Sequence, residues 1–338
     1  KVFQHIYEEG RMIYTENIVD RQKGVYASAT HGTSVLSIMG GYIEGAYIGS
    51  APKASFSLFV TEDVNSETVT VLLADPDLAS RIIDTCSALT WCQSTWAGNA
   101  PLLNADKKNY ILTGLKGIFG KLMREYVFAY LLGHARNVKA FEQNQRAAPP
   151  IWEASKRMPL NGQTLGIAGL GSIGQALIPV AHALGMSVVG LTRSGQAVEG
   201  SDAVYTPDTI EAFARACDHV VNLMPDTSST QNMLSHEFFS ALKPHSVFIN
   251  AGRGSAVDDD ALLQALDNGA LAHAVLDVFR NEPLDPAHPF WQHPRISVTA
   301  HTAAESQPSD VADVFLENVM RYINGESLNY QFDFAKGY

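Results

Sequence analysis

A six-residue glycine pattern constrains this chain more than any other feature. "GLGSIG" (Gly169–Gly174) follows the apolar run "TLGIA" (Thr164–Ala168) and opens a helical stretch from about Ser172 to Leu184, after which a second apolar run, "SVVGL", occupies Ser187–Leu191. Strand, glycine turn, helix and strand make a βαβ unit. Each glycine has its own steric reason: Gly169 makes the tight turn, Gly171 lets a pyrophosphate approach the backbone, and Gly174 lets helix and strand pack closely. Amides at the helix start, on Ser172 and Ile173, face such phosphates with a favourable dipole. The pattern in this context implies a dinucleotide site.

The end of the second strand selects the nucleotide. An acidic side chain there would take the ribose 2′-hydroxyl of NAD. This chain has Thr192, Arg193 and Ser194 instead. No carboxylate repels a 2′-phosphate, the guanidinium can pair with one, and two hydroxyls can donate to it. NADP(H) is the expected cofactor, with NAD(H) as the lesser alternative.

From Val69 onward strands and helices alternate: "VTVLLA" reads as a strand, "DPDLASRII" as a helix start and "ALTWCQST" as another strand. Such alternation predicts α/β layers on a parallel sheet, here a doubly wound Rossmann-type sheet. The 338 residues allow two or three domains. A net charge of -11 argues against nucleic acid as a partner. No window approaches the ~20 apolar residues of a membrane helix, so no membrane partner is expected. Cys86, Cys92 and Cys217 form neither a disulfide framework nor a metal-ligand spacing, as in a reduced, cytoplasmic protein with no metal.

Three further stretches place chemistry at strand ends. Arg253 follows the strand Val247–Asn250, Glu282 follows one ending near Asp277, and His301 follows Ile296–Thr299. In an open parallel sheet, ligands bind outside the carboxyl ends of the strands. An arginine, a glutamate and a histidine at three such ends can therefore face one nicotinamide. Any one of them alone reads more simply as a member of a surface ion pair; the three together read as a catalytic set.

With "GLGSIG", "NAGRG", "LDVFRNEP", "FWQHPRISVTAH" and the terminal "FAKGY", residues from about 69 to 338 resemble the D-isomer-specific 2-hydroxyacid dehydrogenase family, in particular its bacterial glyoxylate/hydroxypyruvate reductase group. The resemblance implies an NADP(H)-dependent reductase of small 2-oxo acids. Arg253, Glu282 and His301 fall on the family's catalytic arginine, glutamate and histidine, the histidine being the proton donor. The loop "STWAG" matches the one whose backbone amides hold the substrate carboxylate, through Trp96, Ala97 and Gly98; Arg253 and Trp291 join these as expected substrate contacts. Pro225 and Thr227 match the loop beside the cofactor, and Asp277 is expected near it. Ala300 departs from the family's usual proline before the histidine. The resemblance also implies two lobes with the site between them: a cofactor lobe of about 122–301, and a smaller flavodoxin-like substrate lobe combining 69–121 with 302–338. One long helix, "FGKLMREYVFAYLLGHARNVKAFEQ", is expected to link them and to form part of a homodimer surface.

Residues 1–68 fit none of this. The order "HGTSVLSIMGGYI", "GSAPKASFSLF", "TEDVNSE" resembles an incomplete piece of a bacterial subtilisin-like protease, standing where the family has its first strand and helix. His31 would be that family's base. Neither its orienting aspartate motif nor its nucleophile turn is present, so proteolysis is not expected. "SFSLFV" (Ser55–Val60) is not expected to pair in parallel with the strand at 69–74, because the connection is too short for a crossover. A non-catalytic, dinucleotide-sensing protein on the same fold is the alternative to the reductase.

Overall fold

The computed structural model describes residues 42–43, 47–48, 69–154, 158–306 and 308–334. His31, "SFSLFV" and the subtilisin-like motifs lie outside the described residues, as do the last four residues of the chain. The chain divides into two compact units: residues 1–118 with 306–338, and residues 119–305.

In the first unit, β1 (Tyr42–Ile43) and β2 (Tyr47–Ile48) form a short antiparallel pair. A parallel three-stranded sheet follows, ordered β3 (Val71–Ala74), β4 (Trp91–Ser94), β5 (Ile111–Thr113). The crossover from β3 carries α1 (Pro76–Ile82), and α2 (Ala100–Leu103) lies between β4 and β5. Pro76 suits the first turn of α1, where its missing amide costs no helical bond. β4 is the middle strand and is buried along its whole length, which is why "WCQS" does not alternate.

The second unit opens with α3 (Phe119–Ala135) and α4 (Val138–Arg146). The expected single helix is therefore two. Asn137 breaks it by taking a left-handed conformation (φ 54°), which asparagine tolerates better than most residues. α3 buries Met123, Val127, Phe128 and Leu131 on one side, whereas α4 buries nothing.

Seven parallel strands form the sheet of this unit: β6 (Thr164–Ala168), β7 (Ser187–Leu191), β8 (Ala203–Tyr205), β9 (His219–Asn222), β10 (Val247–Asn250), β11 (His273–Leu276) and β12 (Ile296–Val298). Their spatial order is β8-β7-β6-β9-β10-β11-β12. The order reverses between β6 and β9, the arrangement of a doubly wound Rossmann sheet with its ligand crevice at the reversal. β9 and β10 are buried throughout, as central strands of a parallel sheet are. The helices α5 (Ser172–Ala183), α6 (Ile210–Ala216), α7 (His236–Ala241) and α8 (Asp259–Asp267) join the strands. One core gathers Phe213, Phe238, Phe239 and Phe248; another packs Val127 and Leu131 of α3 against Leu177 and Ile178 of α5 and the sheet.

The chain returns to the first unit as α9 (Pro308–Ile323). There Phe315 packs on Trp91 with ring centroids 5.2 Å apart. Among the described residues no helix is long and apolar enough to cross a membrane.

Candidate active site

The glycine turn sits at the carboxyl end of β6, and its three glycines sort by what surrounds them. Gly169 has φ 93°, and a Cβ there would lie 2.8 Å from the Leu223 backbone that follows β9. A Cβ on Gly174 would lie 2.8 Å from the Gly169 carbonyl oxygen and 3.0 Å from Ile167. Both are required by this chain's own packing. Gly171 is different: nothing lies within 4 Å of a Cβ built there. It is also the N-cap of α5, and no side chain caps the helix. Space over a glycine, facing uncapped amides of Ser172 and Ile173, fits the phosphates of a dinucleotide.

At the end of β7, Thr192 is half-buried, and Arg193 and Ser194 are exposed. Thr192 Oγ1 accepts the Gly195 amide at 3.1 Å, which leaves its own O–H available as a donor. At the end of β9, Thr230 Oγ1 donates to the Pro225 carbonyl and accepts the Thr227 amide, shaping the loop that carries both residues.

Sequence reasoning passed over a pair of asparagines that organises the next two loops. Asn222 and Asn250 end adjacent strands in register, both are buried, and Asn222 Nδ2 donates to Asn250 Oδ1 at 2.9 Å. Each then holds its own loop: Asn222 Oδ1 accepts the Met224 amide, and Asn250 Nδ2 donates to the Arg253 carbonyl. The available signal was an asparagine closing each of two apolar runs, "VVN" and "VFIN". Arg253 itself stands between two glycines pressed on neighbouring backbone. A Cβ at Gly252 would meet Met224 N at 2.8 Å, and one at Gly254 would meet Phe279 C at 1.9 Å.

The three strand-end residues come together. His301 Nδ1 is 2.8 Å from Glu282 Oε2, and Glu282 Oε1 accepts the Phe279 amide at 2.8 Å. Arg253 is close enough to both for its charge to shift their titration. Burial alone would raise the Glu282 carboxyl; the His301 hydrogen bond, the Phe279 amide and the charges of His301 and Arg253 outweigh it, so the net shift is downward. The same hydrogen bond holds the His301 imidazole above its ordinary value, against burial and the Arg253 charge. Burial lowers the Arg253 guanidinium, with Asp226 and Glu282 opposing, but an arginine stays charged.

Asp277 is buried, and its carboxylate holds the loop that carries His301. Its carboxylate accepts Thr299 Oγ1 and the amides of Thr302 and Ala303. Trp291 is exposed, and its ring N–H donates to the Asp285 carbonyl within its own loop. In the other unit, Trp96, Ala97 and Gly98 follow β4; Trp96 is exposed, and its amide donates to Ser94 Oγ at 3.1 Å. Among the described residues no group of three or more His, Cys, Asp or Glu side chains could hold a metal ion.

Residues 128–303 match the family model of the D-isomer specific 2-hydroxyacid dehydrogenase NAD binding domain. A glyoxylate/hydroxypyruvate reductase A from Serratia proteamaculans (strain 568) is 33% identical over 216 residues, covering 64% of this chain and 68% of the relative. A D-isomer specific 2-hydroxyacid dehydrogenase family protein of known structure, from Aeromonas salmonicida subsp. salmonicida A449, is 37% identical with a TM-score of 0.76, covering 80% of this chain and 86% of that one. The NADPH-dependent glyoxylate/hydroxypyruvate reductase from Sinorhizobium meliloti, solved with NADP and sulfate, is 30% identical with a TM-score of 0.71, covering 80% and 87%.

Proposed function

Because the chain belongs to the D-isomer specific 2-hydroxyacid dehydrogenase family, an oxidoreductase family built on an NAD-binding domain, we propose that it reduces small 2-oxo acids such as glyoxylate and hydroxypyruvate to 2-hydroxy acids with NADPH. The observation that carries this is the Glu282–His301 hydrogen bond beside Arg253, on three successive parallel strand ends.

Gly169, Gly171, Ser172, Ile173 and Gly174 would hold the cofactor phosphates, and Thr192, Arg193 and Ser194 the 2′-phosphate, with Pro225 and Thr227 alongside. Bound there, the nicotinamide supplies the hydride that reduces the substrate carbonyl carbon. Arg253 binds the substrate carboxylate and polarises the carbonyl, work that a planar, permanently charged fork does better than lysine. His301 holds the proton. Its Nδ1 is engaged by Glu282, so Nε2 is the atom that delivers to the developing alkoxide. Glu282 fixes the ring orientation and favours the imidazolium. Relatives whose names specify glyoxylate/hydroxypyruvate reduction and NADPH support the choice of substrate and cofactor.

The test is the oxidation of NADPH and of NADH against a panel of 2-oxo acids. Turnover of glyoxylate or hydroxypyruvate with NADPH preferred supports the assignment. No turnover from a folded, NADPH-binding sample would favour a sensing role.

A homodimer is part of the same proposal. Leu132, Val138 and Phe141 lie exposed on α3 and α4, an apolar surface suited to a second copy. Phe141→Glu should sediment as a monomer where the native chain sediments as a dimer.

A further inference from the structure

His301 is one of four described non-glycine residues with a positive φ, at 56°. For a histidine this left-handed backbone costs roughly 1 kcal/mol, so something must hold it. The residues that do so all converge on Asp277. Its carbonyl accepts the His301 amide at 2.8 Å. Its Oδ1 accepts Thr299 Oγ1 at 2.5 Å and the Thr302 amide at 2.9 Å, and its Oδ2 accepts the Ala303 amide at 3.0 Å. One buried residue therefore grips the loop before, at and after the histidine.

A further bond lies behind this grip. Tyr126, on α3, has its hydroxyl 2.8 Å from Thr299 Oγ1. The direction of that bond follows from chemistry. A carboxylate only accepts, so the Thr299 proton points to Asp277, and the Thr299 oxygen can only accept from Tyr126. The chain runs Tyr126→Thr299→Asp277, each bond polarising the next.

We propose that Thr299 and Tyr126 are positioning residues for the reductase. Through Asp277 they hold the His301 loop in the conformation that aims its imidazole between Glu282 and the substrate. Neither residue touches the reacting atoms. This rests on the reading of His301 as proton donor. Loss of the Thr299 hydroxyl leaves Asp277 one donor short and the Tyr126 hydroxyl without its acceptor, and the loop relaxes. The Glu282–His301 bond then loosens. Glu282, Arg253 and Asp277 are the charged groups that act on the imidazole, and weakening its bond to Glu282 makes the proton easier to lose.

The experiment compares Thr299→Val, Thr299→Ser and Tyr126→Phe in the full chain, with NADPH and glyoxylate, following kcat, KM, the pH profile and NADPH affinity. Thr299→Val should lower kcat by roughly 10- to 100-fold and move the alkaline limb of the profile about half a pH unit towards acid, with NADPH affinity unchanged. Thr299→Ser, which restores the hydroxyl, should recover native behaviour. Tyr126→Phe should change both readouts in the same direction by less, and it carries the test if Thr299→Val does not fold. Native kcat and an unmoved limb in Thr299→Val and Tyr126→Phe, with His301→Asn inactive, would overturn the positioning role and leave the reductase assignment standing. Full turnover by His301→Asn would instead overturn the proton-donor reading, and the positioning role with it.

Discussion

The two oxygens of Glu282 have divided duties: Oε2 takes His301 Nδ1 at 2.8 Å, and Oε1 takes the Phe279 amide at 2.8 Å. The carboxylate is thus anchored to backbone before it orients the imidazole. An anchored partner pre-organises the ring instead of following it, as the proposed delivery of a proton to a fixed point requires.

His301→Asn should lower turnover by about 10²–10⁴-fold, the usual contribution of a positioned acid, while NADPH binding is retained. Stopped-flow turnover with a parallel fluorescence titration separates the two. Equal loss of both would mean that His301 supports the fold rather than the reaction.

Glu282→Gln removes both the strongest contact and the charge that raise the His301 pKa. With His301 as the proposed proton donor, reduction needs the protonated ring, so activity should fall as pH rises through that pKa. The native alkaline limb should therefore lie above 6.5, the ordinary histidine value, and the variant's limb should move towards acid. Coincident pH profiles would contradict the coupling.

Gly171 and Gly174 should respond differently to substitution. Gly171→Val enters open space at an ordinary φ of -81°, so the melting temperature should hold while dinucleotide binding is lost. Gly174→Ala pushes a methyl against the Gly169 carbonyl and Ile167, so it should cost about 1–3 kcal/mol of stability. Calorimetry and NADPH titration on both variants check the contrast.

Arg193→Ala should weaken NADPH by roughly tenfold or more, the worth of a charge-assisted hydrogen bond, and leave NADH unchanged. An equal loss for both nucleotides would remove Arg193 from the selection of the 2′-phosphate.

Acid should destabilise the larger unit through a buried histidine, His219, and a half-buried one, His273. Burial, aided by His134, lowers His219 from 6.5 to about 4; Lys243 and His245 add to this, and Asp218 opposes it. Burial likewise lowers His273 to about 4, with help from His134, Lys139 and His293. The unfolded chain takes up these protons first, so stability falls as pH drops from about 6.5 to about 4, by at most about 3 kcal/mol for each ring. Melting temperatures across that window should show the loss, and His273→Gln should flatten it.

The amino-acid order alone determined the βαβ unit, the close packing at Gly169 and Gly174 and the placement of Arg253, Glu282 and His301 at strand ends. Those features are local: an apolar period, a turn that excludes a Cβ, and a polar residue just past a buried run all lie within a few positions of one another. Tertiary structure alone decided the rest. Asn222 meets Asn250 only because β9 and β10 pair in register. Asp277 anchors the His301 loop only because β11 and β12 are neighbours. Asn137 divides "FGKLMREYVFAYLLGHARNVKAFEQ" through a left-handed turn that helical periodicity does not reveal. A hydrogen bond between groups far apart in the chain depends on which strands become adjacent, and the packing of the whole sheet sets that adjacency.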